Sequence, residues 1–209
     1  MKISTSFLAC KDIVKGVREL SLTDADYIHM DYVDFGYIEG REISFRKMKK
    51  VSKVTTKRFD VHLMTDDLKK SIYNFSSFNC EYMTFHIEAT DDPIKYINMI
   101  HSYNIKCGLA LNPETEIGEI EPYLGNVDLI LVMGVEPGYG GKEFVPEVED
   151  KIKELRKRIT FHNLNTLISV DGGVNEEVYK RIKDYIDIVV VGSFVTNSDN
   201  YQEQINKLK

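Results

Sequence analysis

The stretch DYIHMDYVD, residues 26–34, is a run of aromatic, β-branched and apolar residues interrupted by acids and one histidine. Its composition predicts a strand over 27–33. Side chains two apart on a strand leave the same face, so His29 and Asp31 project together, about 6.5–7 Å apart along the backbone. A strand that is otherwise apolar belongs in a parallel sheet covered on both faces. Such a strand has no ordinary reason to aim an imidazole and a carboxylate in one direction.

Working outward from it, strand-like and helix-like segments alternate along the whole chain. Further strands are predicted over 2–9, 57–64, 81–89, 106–112, 127–135, 166–171 and 187–193. Helices are predicted over 11–22, 45–54, 66–76, 92–103, 116–124, 147–159, 175–184 and 199–208, with Asp91 or Asp92 capping the fourth and Pro93 in its first turn. Eight βα units without a strand–strand hairpin predict an α/β chain, a single (β/α)8 TIM barrel with residues 1–209 as one domain. An open doubly wound sheet is the alternative. It would have fewer units and one crevice, whereas polar residues here fall at the C-terminal ends of many strands.

The 209 residues are 43% hydrophobic, enough for one sizeable core, and the net charge is −6. An acidic balance argues against nucleic acid or an anionic membrane surface as a partner, while leaving room for phosphorylated molecules held by backbone N–H groups. Cys10, Cys80 and Cys107 are widely spaced and odd in number, which predicts reduced thiols in a cytoplasmic protein. Ser4, Thr5 and Ser6 interrupt the apolar opening, so no export signal is expected. No run approaches the roughly 20 apolar residues of a membrane span. His101 and His162 are expected at the surface, and the basic spacing in 46–58 as a solvated helix face.

In a barrel, all strand ends converge on one mouth. His29, Asp31, His62 and Asp171, at the ends of the second, third and seventh strands, could surround one divalent ion; two imidazoles and two carboxylates suit Zn, Fe, Mn or Co. Each could instead be an ordinary interior polar group with a hydrogen-bond partner. PGYGG (137–141), DGG (171–173) and the Gly192–Ser193 pair follow strands six, seven and eight. Glycines there let backbone N–H groups approach a phosphate, or serve tight turns that need positive φ. His86 and Glu88, again two apart, are either groups that orient a metal ligand or satisfied interior residues.

The segments IHMDYVD, DVHLM, FHIEAT, ALNPET, LVMGVEPGYGGKEFVPEV, SVDGGVN and VVGS, in this order, resemble the ribulose-phosphate 3-epimerase family over nearly the whole chain. The resemblance implies a TIM barrel, usually a dimer or hexamer. It implies one divalent metal ion on His29, Asp31, His62 and Asp171. Asp31 would be the proton acceptor and Asp171 the proton donor. Ser6, His62, Gly138, Tyr139, Gly140, Gly141, Asp171, Gly172, Gly173, Gly192 and Ser193 would contact the substrate, mostly at its phosphate. Met64 and Met133 would pack beside the reacting carbon.

The implied reaction interconverts D-ribulose 5-phosphate and D-xylulose 5-phosphate. A barrel with an inward Schiff-base lysine is not expected, because no lysine is predicted at an inward strand end. The chain also departs from the family pattern. DFGYIEG stands where DGHFVPN is usual, so Phe35, Gly36, Glu39 and Gly40 replace glycine, histidine, proline and asparagine. Val33 replaces a methionine, Lys142 a glutamine and Lys11 an aspartate. The rewritten loop bears on substrate choice and turnover more than on metal binding. It motivates two alternatives: a hexulose-phosphate (allulose 6-phosphate) 3-epimerase, which the opening MKISTSFLACKD also resembles, and a sugar-phosphate-binding barrel that has lost catalysis.

Overall fold

A computed structural model describes residues 1–34, 37–38, 42–138 and 141–209. Eight strands, β1 (Lys2–Ser6), β2 (Tyr27–Val33), β3 (Phe59–Met64), β4 (Cys80–His86), β5 (Lys106–Leu111), β6 (Leu129–Met133), β7 (Leu167–Asp171) and β8 (Ile188–Val191), pair in parallel in chain order. β8 pairs with β1 and closes the barrel. The described helices are α1 (Ile13–Ser21), α2 (Phe45–Val51), α3 (Leu68–Phe75), α4 (Pro93–Ser102), α5 (Ile117–Ile120), α6 (Val148–Phe161), α7 (Glu176–Ile182), α8 (Ser193–Thr196) and α9 (Tyr201–Asn206). The expected TIM barrel is therefore the observed one.

Local chemistry explains the helix starts. Asp12, Asp67, Asp92, Asn175 and Asn200 each accept a backbone N–H of the first turn. Val148, Ile152, Leu155 and Ile159 of α6 recur every three or four residues and face the barrel, where they join the outward-facing strand residues in the main core.

Four strands end two or three residues earlier than their apolar runs suggest. β1 stops at Ser6, β4 at His86, β6 at Met133 and β8 at Val191, where the expectation ran to residues 9, 89, 135 and 193. Beyond these points the chain leaves the ladder to build the mouth. The Gly134 N–H turns to the Asp171 carbonyl at 2.6 Å, and Ser193 opens α8.

The barrel interior is divided. Tyr82, Leu129 and Ile188, with Tyr27, close its N-terminal end, and Ala110, Leu131, Met133 and Val190 fill one side higher up. The other side carries buried polar residues from β1–β4: Ser4, Ser6, His29, Asp31, Asp60, His62, Thr84 and His86. Period-2 alternation places both sets, because each strand sends every second side chain inward.

Three aspartates fix strand pairing at the N-terminal rim. Asp26, Asp128 and Asp187 precede β2, β6 and β8 in the similar settings ADYI, VDLI and IDIV. Each donates its own N–H to a carbonyl of the neighbouring strand and accepts that same residue's N–H on its carboxylate. The partners are Ile3 (2.8 and 2.9 Å), Cys107 (2.9 and 2.8 Å) and Ile168 (2.8 and 2.8 Å). Asp187 also pairs with Arg156 at 2.5 Å. Replacing Asp187 with alanine strands the Ile168 N–H and the arginine. Urea unfolding should show a loss of about 1–3 kcal/mol.

Candidate active site

Register brings the predicted polar side chains together. On β2, His29 and Asp31 lie opposite Asp60 and His62 of β3, and Ser6 of β1 lies opposite His29. Asp171 ends β7. One donor atom from each of His29, Asp31, His62 and Asp171 falls within 4.8 Å of the others. His29 Nε2 is 3.2 Å from Asp31 Oδ1 and 3.6 Å from Asp171 Oδ2, and His62 Nδ1 is 3.2 Å from Asp31 Oδ1. Asp31 Oδ2 accepts the Ser6 hydroxyl at 2.8 Å.

Each imidazole is held from behind. His29 Nδ1 lies 2.8 Å from Asp60 Oδ2, which also accepts the Ser4 hydroxyl at 2.9 Å. An ionised carboxylate offers no proton, so Nδ1 carries the hydrogen and Nε2 faces the cluster. Nε2 is buried and makes no hydrogen bond among the described residues, although two carboxylates lie beside it. Behind His62, Nε2 lies 2.8 Å from His86 Nε2, with the rings stacked at 4.9 Å. His86 Nδ1 is 3.2 Å from Glu88 Oε2. Glu88 Oε1 accepts the Asn112 N–H at 2.9 Å and the Thr115 hydroxyl.

The electrostatics ask for a cation. Burial alone would lower the pKa of His29, but Asp31 and Asp60 outweigh it and raise that pKa well above the usual histidine range. Burial works to raise Asp31; His29 and His62 outweigh it and hold the carboxyl well below the usual range. Asp171 is pushed up to about 7 by burial, with Asp31 and Asp60 adding to the effect against the opposing pull of His29. Burial lowers the pKa of His86. Glu88 is held at about 2, because bonds from His86, Thr115 and Asn112 outweigh its burial. An orphaned imidazole nitrogen between two carboxylates, with a second imidazole alongside, fits a divalent ion of the Zn, Fe, Mn or Co type.

Above the cluster lies a cleft that opens to solvent at the barrel mouth. Ser6, Asp31, Gly138, Gly141, Asp171, Gly172, Gly173, Gly192 and Ser193 line it, with Met133. Tyr139 and Gly140, expected with them, lie outside the described residues, as do Phe35, Gly36, Glu39 and Gly40 of the rewritten loop. His29 and His62 are fully buried beneath the cleft, and Met64, two residues beyond His62 on β3, is buried as well. Gly138 (φ +85°) and Gly173 (φ +69°) need glycine for conformation, and Gly173 for space as well, because a Cβ there would collide with the Phe144 backbone. The tight-turn reading of these glycines therefore holds.

Two contributors escape a reading of single motifs. Asp60 and Ser4 orient His29, and their signal was the same i, i+2 spacing that marks His29 and Asp31: Asp60 with His62, and Ser4 with Ser6. His101, expected at the surface, is partly exposed and pairs with Asp128 at 2.9 Å. All three cysteines are free thiols. No helix among the described residues is long and apolar enough to cross a membrane.

Known proteins match this geometry. The sequence model of the Ribulose-phosphate 3 epimerase family matches residues 2–196. A ribulose-phosphate 3-epimerase of Buchnera aphidicola subsp. Baizongia pistaciae is 36% identical over 189 residues, covering 88% of this chain and 83% of the relative. One of Methanocaldococcus jannaschii is 33% identical over 208 residues, covering 99% and 87%. Among solved structures, phosphoribosylanthranilate isomerase of Thermotoga maritima superposes with a TM-score of 0.69 at 16% identity, covering 100% of this chain and 96% of that one. Orotidine 5'-monophosphate decarboxylase of M. jannaschii superposes with 0.63 at 15% identity, covering 99% and 97%. At such identity these two speak for the barrel alone. The family match, the sequence relatives and the barrel agree: the chain belongs to the ribulose-phosphate 3-epimerase family.

Proposed function

We propose that the chain interconverts D-ribulose 5-phosphate and D-xylulose 5-phosphate, as a metal-dependent isomerase acting at C3. One observation carries the reading: two imidazoles and two carboxylates from three strands converge on one point at the floor of a cleft, with an acid from β2 and an acid from β7 flanking it. Family membership supports the same substrate pair.

The chemistry requires removing a weakly acidic proton next to a ketone and returning one to the opposite face. Asp31, held ionised and oriented by the Ser6 hydroxyl, is suited to accept the first proton. Asp171, whose carboxyl is pushed up to about 7, is suited to hold a proton and deliver it from the other side. His29 and His62 hold the carboxylates apart and, with them, would bind a divalent ion. When bound, that ion would stabilise negative charge developing on the substrate's ketone oxygen. Gly172, Gly173, Gly192 and Ser193, at the opposite side of the cleft, would receive the phosphate, anchoring the sugar so that C3 lies between the two acids. Zinc, iron, manganese or cobalt as the metal, assembly into a dimer or hexamer, and a cytoplasmic location are parts of the same proposal. They rest on donor chemistry, family resemblance and the reduced thiols.

Three outcomes are expected. Chelator-treated protein should lose epimerisation and regain it with one equivalent of a divalent ion, checked by elemental analysis of protein purified without added metal. Asp171→Asn should lower kcat by about 10²–10⁴-fold in a coupled assay, with solvent deuterium no longer entering C3 at the wild-type rate. Unchanged exchange would remove Asp171 from the mechanism. Ser193→Asp should raise KM at least about tenfold at similar thermal stability, because a carboxylate there repels the phosphate. Assaying ribulose 5-phosphate beside allulose 6-phosphate distinguishes the pentulose reading from the hexulose one, and turnover of neither would leave only a binding barrel.

A further inference from the structure

We propose that Glu88 and His86 are positioning residues that fix the ring tautomer of His62, keeping its Nδ1 lone pair aimed at the cluster formed with Asp31 and Asp171. The inference rests on the reading that His62 is a metal ligand through Nδ1, and it concerns a chain of contacts to which no role has yet been assigned.

The protons along this chain can be counted. Glu88 Oε1 faces two donors, the Asn112 N–H and the Thr115 hydroxyl. Its Oε2 faces His86 Nδ1. A carboxylate with both oxygens used as acceptors has no hydrogen to offer, so the hydrogen in the second contact sits on His86 Nδ1. A neutral His86 then has a bare Nε2. The 2.8 Å contact between the two Nε2 atoms needs one hydrogen, and only His62 can supply it. His62 with a hydrogen on Nε2 has a lone pair on Nδ1, the atom 3.2 Å from Asp31 Oδ1. From Glu88 inward each assignment leads to the next, over four side chains from three segments of the chain, and the series sets the His62 hydrogen against the pull of the Asp31 carboxylate, which on its own would draw it to Nδ1. The arrangement extends through two rings what Asp60 does directly for His29.

A glutamine at position 88 would invert the whole series. The fixed Asn112 N–H requires an oxygen opposite it, so the amide NH₂ turns toward His86 Nδ1. His86 must then carry its hydrogen on Nε2, His62 must accept there, and the His62 hydrogen moves to Nδ1, where it blocks a cation. Alanine at 88 merely releases His86 to bond with water in either tautomer. Glutamine preserves shape, and both changes remove the same charge. A packing role therefore ranks Glu88→Gln above Glu88→Ala, and tautomer control ranks it below.

The test is Zn²⁺ affinity of the full-length protein by competition with a chromophoric chelator, alongside ¹⁵N spectra of the histidine rings in the metal-free state. Relative to wild type, affinity should fall about tenfold in Glu88→Ala and about 100-fold in Glu88→Gln, within the range seen for groups that orient metal ligands. The spectra should place the hydrogen on Nε2 of His62 and Nδ1 of His86 in the wild type, and on Nδ1 of His62 in Glu88→Gln. Affinity in Glu88→Gln equal to or above that of Glu88→Ala would overturn the proposal. So would the reversed tautomers in wild-type spectra, which do not depend on how any variant folds. If His62→Ala bound zinc as tightly as wild type, the ligand assignment itself would fail, a result distinct from a failure of the relay.

Discussion

The site depends on one constraint: three carboxylates, Asp31, Asp60 and Asp171, are crowded around the single ring of His29 inside the barrel. Buried negative charge is costly unless a positive charge or hydrogen bonds offset it. Ser4 and Ser6 serve two of the acids, and His29 takes on positive character for all three. The set is therefore arranged to welcome a small cation, and the raised Asp171 is the acid least able to ionise without one. A shared cavity thus makes two chemically identical side chains unequal, and an epimerase working on both faces of a carbon needs that inequality.

The divided barrel interior is what makes such crowding tolerable. Apolar residues from β5, β6 and β8 fill one side, and the aromatic and aliphatic layer at the N-terminal end closes the barrel off. Most of the polar groups then sit on four adjacent strands, β1–β4, with Asp171 facing them from β7, and several reach a partner one strand away. His29 to Asp60, Asp31 to His62, and His62 to His86 are all such neighbour contacts. Parallel pairing in chain order therefore organises the chemistry as well as the backbone.

Much of this was legible in the sequence. The alternation of apolar runs with amphipathic segments named the barrel. The i, i+2 pair in DYIHMDYVD pointed to the site, because a period of two leaves little doubt about which side chains share a face. The unread parts have physical reasons. Strand ends at Ser6, Met133 and Val191 are set by turns that leave the ladder, and hydrophobicity continues past them. The four residues of α8 are too few to show a helical period. Asp60 looks the same in sequence whether it binds an ion or a neighbouring ring, and only strand register places it behind His29 rather than beside the cleft.

The aspartate rings at the opposite rim carry a consequence for how such a protein can diversify. By clasping neighbouring strands where the chain enters the barrel, Asp26, Asp128 and Asp187 anchor the stagger far from the reacting groups. A slip of one residue would turn His29 and Asp31 outward together. With alignment secured from below, the connections above are relieved of holding the strands in step. Drift in those upper segments, of the kind that separates DFGYIEG from its usual counterpart, can then retune what is admitted while the ionisable groups stay where they are.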